Sequence, residues 1–150
     1  MVALAGVGLV GVGLWARREV QRGLSAERIV GTEDMNPPNA PVTDGPAARS
    51  LAEVIRRRTV AAAGGRTYAE TDEYLARDGG TTSDADLALV SDTSGQPVPN
   101  PTYELWITST TLQTALVQAY LAQRLADLSV GLGATLAVAG VGLAASGRHL

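Results

Sequence analysis

From Leu128 to Ala145 the chain carries no charge, and Ser129 and Thr135 are its only polar side chains there. Wound as an α-helix, such a stretch is about 27 Å long, close to the roughly 30 Å hydrocarbon core of a bilayer. A helix apolar on every side needs an apolar solvent; a helix at a globular surface shows one apolar stripe instead. Val2 to Ala16 is also uncharged. As a helix this shorter run rises only ~22 Å. Either it spans with local thinning of the bilayer, or the true start lies upstream of Met1; the second is favoured. A signal peptide would carry a basic segment ahead of its apolar run, and none precedes this one. Trp15 suits the membrane interface, with Arg17 and Arg18 among the headgroups.

The chain as a whole is 45% hydrophobic, an ordinary value, so what sets it apart is segregation of its apolar residues rather than their number. A net charge of −3 gives no footprint for nucleic acid. Cysteine is absent, which excludes disulfides, thiolate catalysis and Cys-ligated metals. All 12 basic residues are arginine, a bias that fits a GC-rich bacterial genome. The single histidine is His149, beside the C-terminus.

The expected fold is mainly α. A transmembrane helix over 1–16 is followed by a juxtamembrane helix end and Pro-rich linker over 17–45. A small polar helical module covers 46–102, an amphipathic helix 103–127, and a second transmembrane helix 128–146. Glu27 to Val30 suits one short strand. Within the module, a helix starts near Pro46 with Asp44 or Gly45 at its cap. It carries Leu51, Val54, Ile55 and Ala62 on one face and stops at Gly64 and Gly65. Thr67-Tyr68-Ala69-Glu70 fits a capping box and predicts another helix that ends at Gly79 and Gly80. Tyr103 and Trp106 either anchor at the membrane interface or cap the module's core; the core is preferred. From Tyr103 the chain reads helical to Ala145 without an internal proline.

Along that last helix, Ala115, Ala119, Ala122 and Ala126 form a small-residue seam. It continues as Ser129, Gly133, Ala137, Gly140 and Ala144. Small residues at helical spacing let two backbones approach closely. The seam is therefore expected to pack on the first helix, on a second copy, on another membrane protein, or on more than one of these.

Several pieces carry a family resemblance: a terminal helix, Glu27-Arg28-Ile29-Val30 with Glu33-Asp34, and a helix that ends Ala61-Ala62-Ala63-Gly64-Gly65. Arg66-Thr67-Tyr68-Ala69-Glu70 follows, and then a final helix rich in Thr, Ala and Leu. The chain resembles uncharacterised two-span membrane proteins of actinobacteria, some of which bear an automatic label of ring-opening dioxygenase. The resemblance covers most of the chain and implies topology and taxon. The stretch from Gly79 to Pro101 departs from it as an insertion. The dioxygenase label does not fit the residues, because a non-haem iron oxygenase needs two histidines and a carboxylate on one face.

Other motifs favour structure over chemistry. Gly6 to Gly11 matches GxGxxG and Gly140 to Ala145 its variant, but neither has room for the strand and acidic residue of a dinucleotide site. Asp84, Asp86 and Asp92 lack calcium-loop spacing. Arg56-Arg57-Arg58 reads as a solvated face, with anionic headgroups as the other possibility. Glu70, Asp72, Glu73 and Asp78 supply carboxylates, but the sequence gives nothing that positions them as an acid–base pair. Serine nucleophiles lack a base, since the module has no histidine and the chain no lysine. No catalytic, cofactor or metal residue is assigned.

The expected role is a structural or protein-interaction component of a bacterial cell envelope, multi-pass in the plasma membrane, with lipid as its solvent. The arginines after the first helix argue for a cytoplasmic module, whereas the family resemblance argues for an extracytoplasmic one; the latter is preferred. A ligand-binding or sensory module is the alternative and requires a pocket in the middle region. An enzyme would in addition require convergent titratable groups there.

Overall fold

A computed structural model of the protein describes residues 1–146. His149 lies outside the described residues. The protein is mainly helical: α1 spans Val2–Ala26, α2 Gly45–Ala62 and α3 Pro101–Ser146. Among the described residues α3 alone is long and apolar enough to cross a membrane, with an 18-residue window of mean hydropathy 1.9. α1 forms as expected but does not meet that criterion. Its apolar run ends at Ala16, so any 18-residue window within α1 takes in Arg17, Arg18 and Glu19.

The chain divides into two compact units. The first contains Met1–Leu51 and the chain from Ala115 on. Here α1 lies antiparallel to the apolar half of α3, with Ala3 at Gly140, Gly6 at Ala137 and Gly13 at Val130. Between α1 and α2 the chain makes a tight excursion. Ile29 O accepts from Val42 N at 2.9 Å and Ala40 O from Gly31 N at 2.8 Å. Val30 and Pro41 form one isolated bridge, so the expected strand at Glu27 to Val30 shrinks to a single paired residue. Met35 and Val42 are buried by this turn. The start of α2 is capped as anticipated, with Asp44 Oδ1 accepting from Ala47 N at 2.9 Å. Gln123 Oε1 takes a second orphan amide, Gly45 N, at 2.6 Å in a buried setting. We predict that Q123L lowers stability by about 1–3 kcal/mol, because a buried N–H loses its acceptor. Thermal unfolding in detergent micelles measures this, and an unchanged midpoint would show that the bond contributes nothing.

The second unit, Ala52–Thr114, has its own small core of Ala52, Val54, Ala63, Ala88 and Trp106. Thr59 Oγ1 lies 2.9 Å from Ile55 O and 2.8 Å from Ser109 Oγ, which joins α2 to α3 by a buried hydroxyl pair. α2 ends before Gly64 (φ +66°) and Gly65 (φ +84°), positions that favour glycine. Ile55 is half-buried and Ala62 exposed, with Ala63 taking the inward place.

The helix expected from Thr67 to Gly79 does not form. A single 3-10 turn covers Tyr68–Glu70, and the chain then pairs as β1 (Tyr74–Leu75) with β2 (Thr81–Thr82). Thr67 N and Oγ1 both donate to Glu70 Oε2 at 2.8 Å, so the capping residues act locally without a helix behind them. From Thr71 to Gly80 no apolar stripe of helical period supports a longer helix, and the adjacent Tyr74-Leu75-Ala76 suits extended backbone instead. Backbone bridges stack the rest of this segment on β1: Leu75 N bonds Val98 O, Leu89 N bonds Leu75 O, and Val98 N bonds Leu89 O. The module is therefore half helix and half bridged loop.

Candidate functional site

The contact between α1 and α3 rests on glycine at both faces. A Cβ on Gly133 would lie 2.6 Å from Gly6 O, and one on Gly13 would lie 2.7 Å from Ala126 O. A Cβ on Gly140 would lie 2.9 Å from Ala3 Cβ. No larger residue fits without parting the backbones. On α3 the inward positions run Leu116, Ala119, Gln123, Ala126, Val130, Gly133, Ala137 and Gly140. On α1 they run Ala3, Gly6, Val10, Gly13, Val20 and Leu24. The α3 positions alternate steps of three and four, a seven-residue repeat, and those on α1 do so as far as Gly13.

The structure thus brings Ala126, Gly133, Ala137 and Gly140 of the anticipated seam against α1, and half-buries Ala119 and Ser129. Ala115, Ala122 and Ala144 are exposed. A seven-residue repeat slips about 20° per repeat around a straight helix. The inward stripe keeps that repeat along α3, and Ala115, Ala122 and Ser129 each stand one residue before its members Leu116, Gln123 and Val130. Sequence reasoning missed Leu116, Gln123 and Val130 because they are not small; their spacing of seven was the available signal.

Hydroxyls in the apolar half of α3 are satisfied within the helix. Ser129 Oγ donates to Leu125 O at 2.9 Å, Thr135 Oγ1 to Gly131 O at 3.0 Å, and Ser146 Oγ to Gly142 O at 3.0 Å. At the polar end of this segment Arg17 pairs with Asp127 at 3.6 Å. Both side chains are partly solvated, so the pair contributes at most about 1 kcal/mol. One helical turn further, Arg49 and Arg124 flank the ring of Tyr120, at 5.0 and 5.3 Å from its centroid. Arg124 Nε donates to the Tyr120 hydroxyl at 3.1 Å. Hydrogen bonds from Arg124, then from Arg49, hold the Tyr120 phenol below its ordinary pKa, and the same contact raises that of Arg124. Below Arg124 runs a groove of about 530 Å³ lined by Asp127, Leu128, Gly131, Leu132 and Thr135.

The second unit has a groove of its own, about 500 Å³, formed by Glu73, Tyr74, Pro99, Tyr103, Glu104, Ile107 and Thr108. Tyr103 stacks on Tyr68 with ring centroids 5.2 Å apart and hydroxyls 2.7 Å apart. The bond to Tyr68, aided by partial desolvation and the nearby Glu73, pushes the Tyr103 phenol up to about 12. Trp106 is buried, as a core role requires, while Tyr103 is half-exposed at the groove. The raised value favours the neutral phenol. The stability it lends is whole below the ordinary value of 10.0 and is lost as pH climbs through about 12. We therefore expect an ultraviolet titration to show one late-ionising tyrosine, which the Y68F variant returns toward its ordinary value. An unchanged late step in Y68F would assign it elsewhere.

The remaining candidate acids are engaged locally. Asp72 accepts from Thr81 Oγ1 at 2.6 Å and from Ser83 Oγ at 3.1 Å, in that order the causes of its lowered pKa. Glu70 is lowered by the Thr67 backbone and then its hydroxyl. Asp78 accepts from Gly80 N, and Asp84 from Asp86 N. Among the described residues no three acidic or histidine side chains gather to hold a metal. Both GxGxxG-like stretches lie inside α-helices, in α1 and α3, rather than at a strand-to-helix turn. Arg56, Arg57 and Arg58 are exposed on α2. No known protein family, curated protein or solved structure matches this chain.

Proposed function

We propose that this chain is a membrane-anchored structural or protein-interaction component of a bacterial cell envelope. One observation carries the reading: only 6% of the most apolar window of α3 is buried by the protein's own residues. Leu128, Leu132, Val138, Val141 and Leu143 stand 61–73% exposed. In water that array would be an aggregation surface far beyond what a monomer tolerates; in lipid it is ordinary. The internally bonded hydroxyls support the same solvent, since hydrocarbon offers them no partner. α1 accompanies α3 into the bilayer as the second span, and its shorter apolar run ends at Trp15 and the arginines. The chain is thus multi-pass in the plasma membrane, in keeping with its resemblance to two-span actinobacterial proteins, and its module lies outside the cytoplasm. No catalytic role is proposed.

The test is alkaline extraction of native membranes, followed by purification in mild detergent. The reading expects the chain in the pellet and a stoichiometric envelope protein, or a second copy, retained with it. Release into the supernatant would overturn the anchoring, and a lone monomer would overturn the interaction role. Labelling L87C on intact cells with a membrane-impermeant maleimide checks the side, because Leu87 is 59% exposed and the chain has no cysteine of its own. Labelling only after lysis would put the module in the cytoplasm.

A second reading, a ligand-binding module, is favoured by the groove at Glu73, Tyr103 and Glu104. Two carboxylates beside a tyrosine ring suit a cationic amine.

A further inference from the structure

We propose that the Arg49–Tyr120–Arg124 cluster and the groove beneath it bind one anionic phospholipid. The phosphodiester sits on the two guanidiniums, and an acyl chain lies along Leu128, Gly131 and Leu132. This assignment rests on the membrane reading above and deepens it.

Three features place a headgroup here and not elsewhere on the helices. The first is depth. Arg124 precedes Leu128, where the uncharged stretch begins, by one helical turn, or about 6 Å. Its guanidinium therefore stands at the level of lipid phosphates. The second is charge. Guanidinium groups match phosphate oxygens with paired donors. Tyr120 holds both in place, through its ring at 5.0 and 5.3 Å and through its hydroxyl on Arg124 Nε. That hydroxyl engages Nε and leaves the outward fork of Arg124 geometrically suited to an anion. The one acid lining the groove, Asp127, is paired with Arg17 at 3.6 Å. The third is the floor. The groove of about 530 Å³ starts at Arg124 and continues down the apolar segment. Its single hydroxyl, Thr135, is turned onto Gly131 O, so the wall presented to a chain is hydrocarbon. A free phosphate would use the arginines but gain nothing from this floor.

The experiment uses the full chain in vesicles of mixed phosphatidylcholine and phosphatidylglycerol. The protein is extracted by mild detergent, and the retained lipids are counted by mass spectrometry. We expect phosphatidylglycerol to exceed its share of the vesicles by about fivefold per effective arginine. The R49Q/R124Q variant should lose that excess. G131L should lose lipid retention while keeping both arginines; a Cβ at Gly131 meets nothing within 4 Å and the position is exposed, so the helix accepts it. R57Q, on the exposed face of α2, should retain the excess. An embedded chain with no anionic excess, or an excess that survives in both the double variant and G131L, overturns this site and leaves the membrane reading standing. A chain that fails to sediment with the vesicles overturns both.

Discussion

Replacing Gly6 or Gly133 by leucine should part α1 from α3. The two residues face each other at a distance that admits no side chain, and the atoms a Cβ would strike are backbone. Backbone in a helix cannot swing aside as a flexible side chain does. Overpacking costs about 1–3 kcal/mol in well-packed interiors, and this geometry belongs at the upper end. About 3 kcal/mol lowers the closed population relative to the open one by roughly 100-fold. Because the chain has no cysteine, the R17C/D127C variant reports closure directly through a short bismaleimide bridge. The ion pair it sacrifices is a weak one. Bridging should be efficient in the R17C/D127C background and collapse when G6L or G133L is added. G8L, G11L and G142L are the controls, since a Cβ at each of those glycines meets nothing within 4 Å. Equal bridging in all of these variants would show that α1 and α3 do not close on the glycine seam.

The second large effect concerns the outward face of α3. Arginine near the centre of a membrane helix costs about 2.5–3.5 kcal/mol on insertion scales, so L132R/V138R should cost about 5–7 kcal/mol. That is enough to move most of the protein out of the membrane fraction. L121R provides the contrast. Leu121 is 52% exposed, comparable to Leu132 at 61%, yet it precedes the uncharged stretch. If exposure alone mattered, the variants would behave alike. With lipid beginning near Leu128, L121R stays with the membrane and L132R/V138R does not. Retention of both in the membrane pellet would contradict this placement.

What the sequence makes legible follows from how local each signal is. The cap at Asp44 and the stop at Gly64 and Gly65 are decided by a few neighbouring residues, and both ends of α2 are readable. The long helix from Pro101 to Ser146 is readable because no proline interrupts it after its first residue. The segment after Thr67 is not. Its capping residues form their bonds, but the chain beyond is held by partners far along the sequence: Leu75 by Leu89 and Val98, Asp72 by Thr81 and Ser83. Such pairings leave no periodic trace. The seam is an intermediate case. Glycine and alanine mark where backbones meet, at Gly133 and Gly140, but toward the polar end the same repeat falls on Leu116 and Gln123, whose size hides them. The arginine cluster on Tyr120 joins residues 49 and 124, a pairing that no local motif announces.

The solvent around the exposed face of α3 is measured most directly by spin labels at V138C and L143C, with L87C in the module as reference. Oxygen partitions into hydrocarbon, and a charged nickel chelate stays in water. In native-lipid vesicles, labels at Val138 and Leu143 should be relaxed by oxygen and untouched by nickel, with the reverse at Leu87. Nickel access at all three positions would mean that α3 lies in water, and the membrane reading would fall.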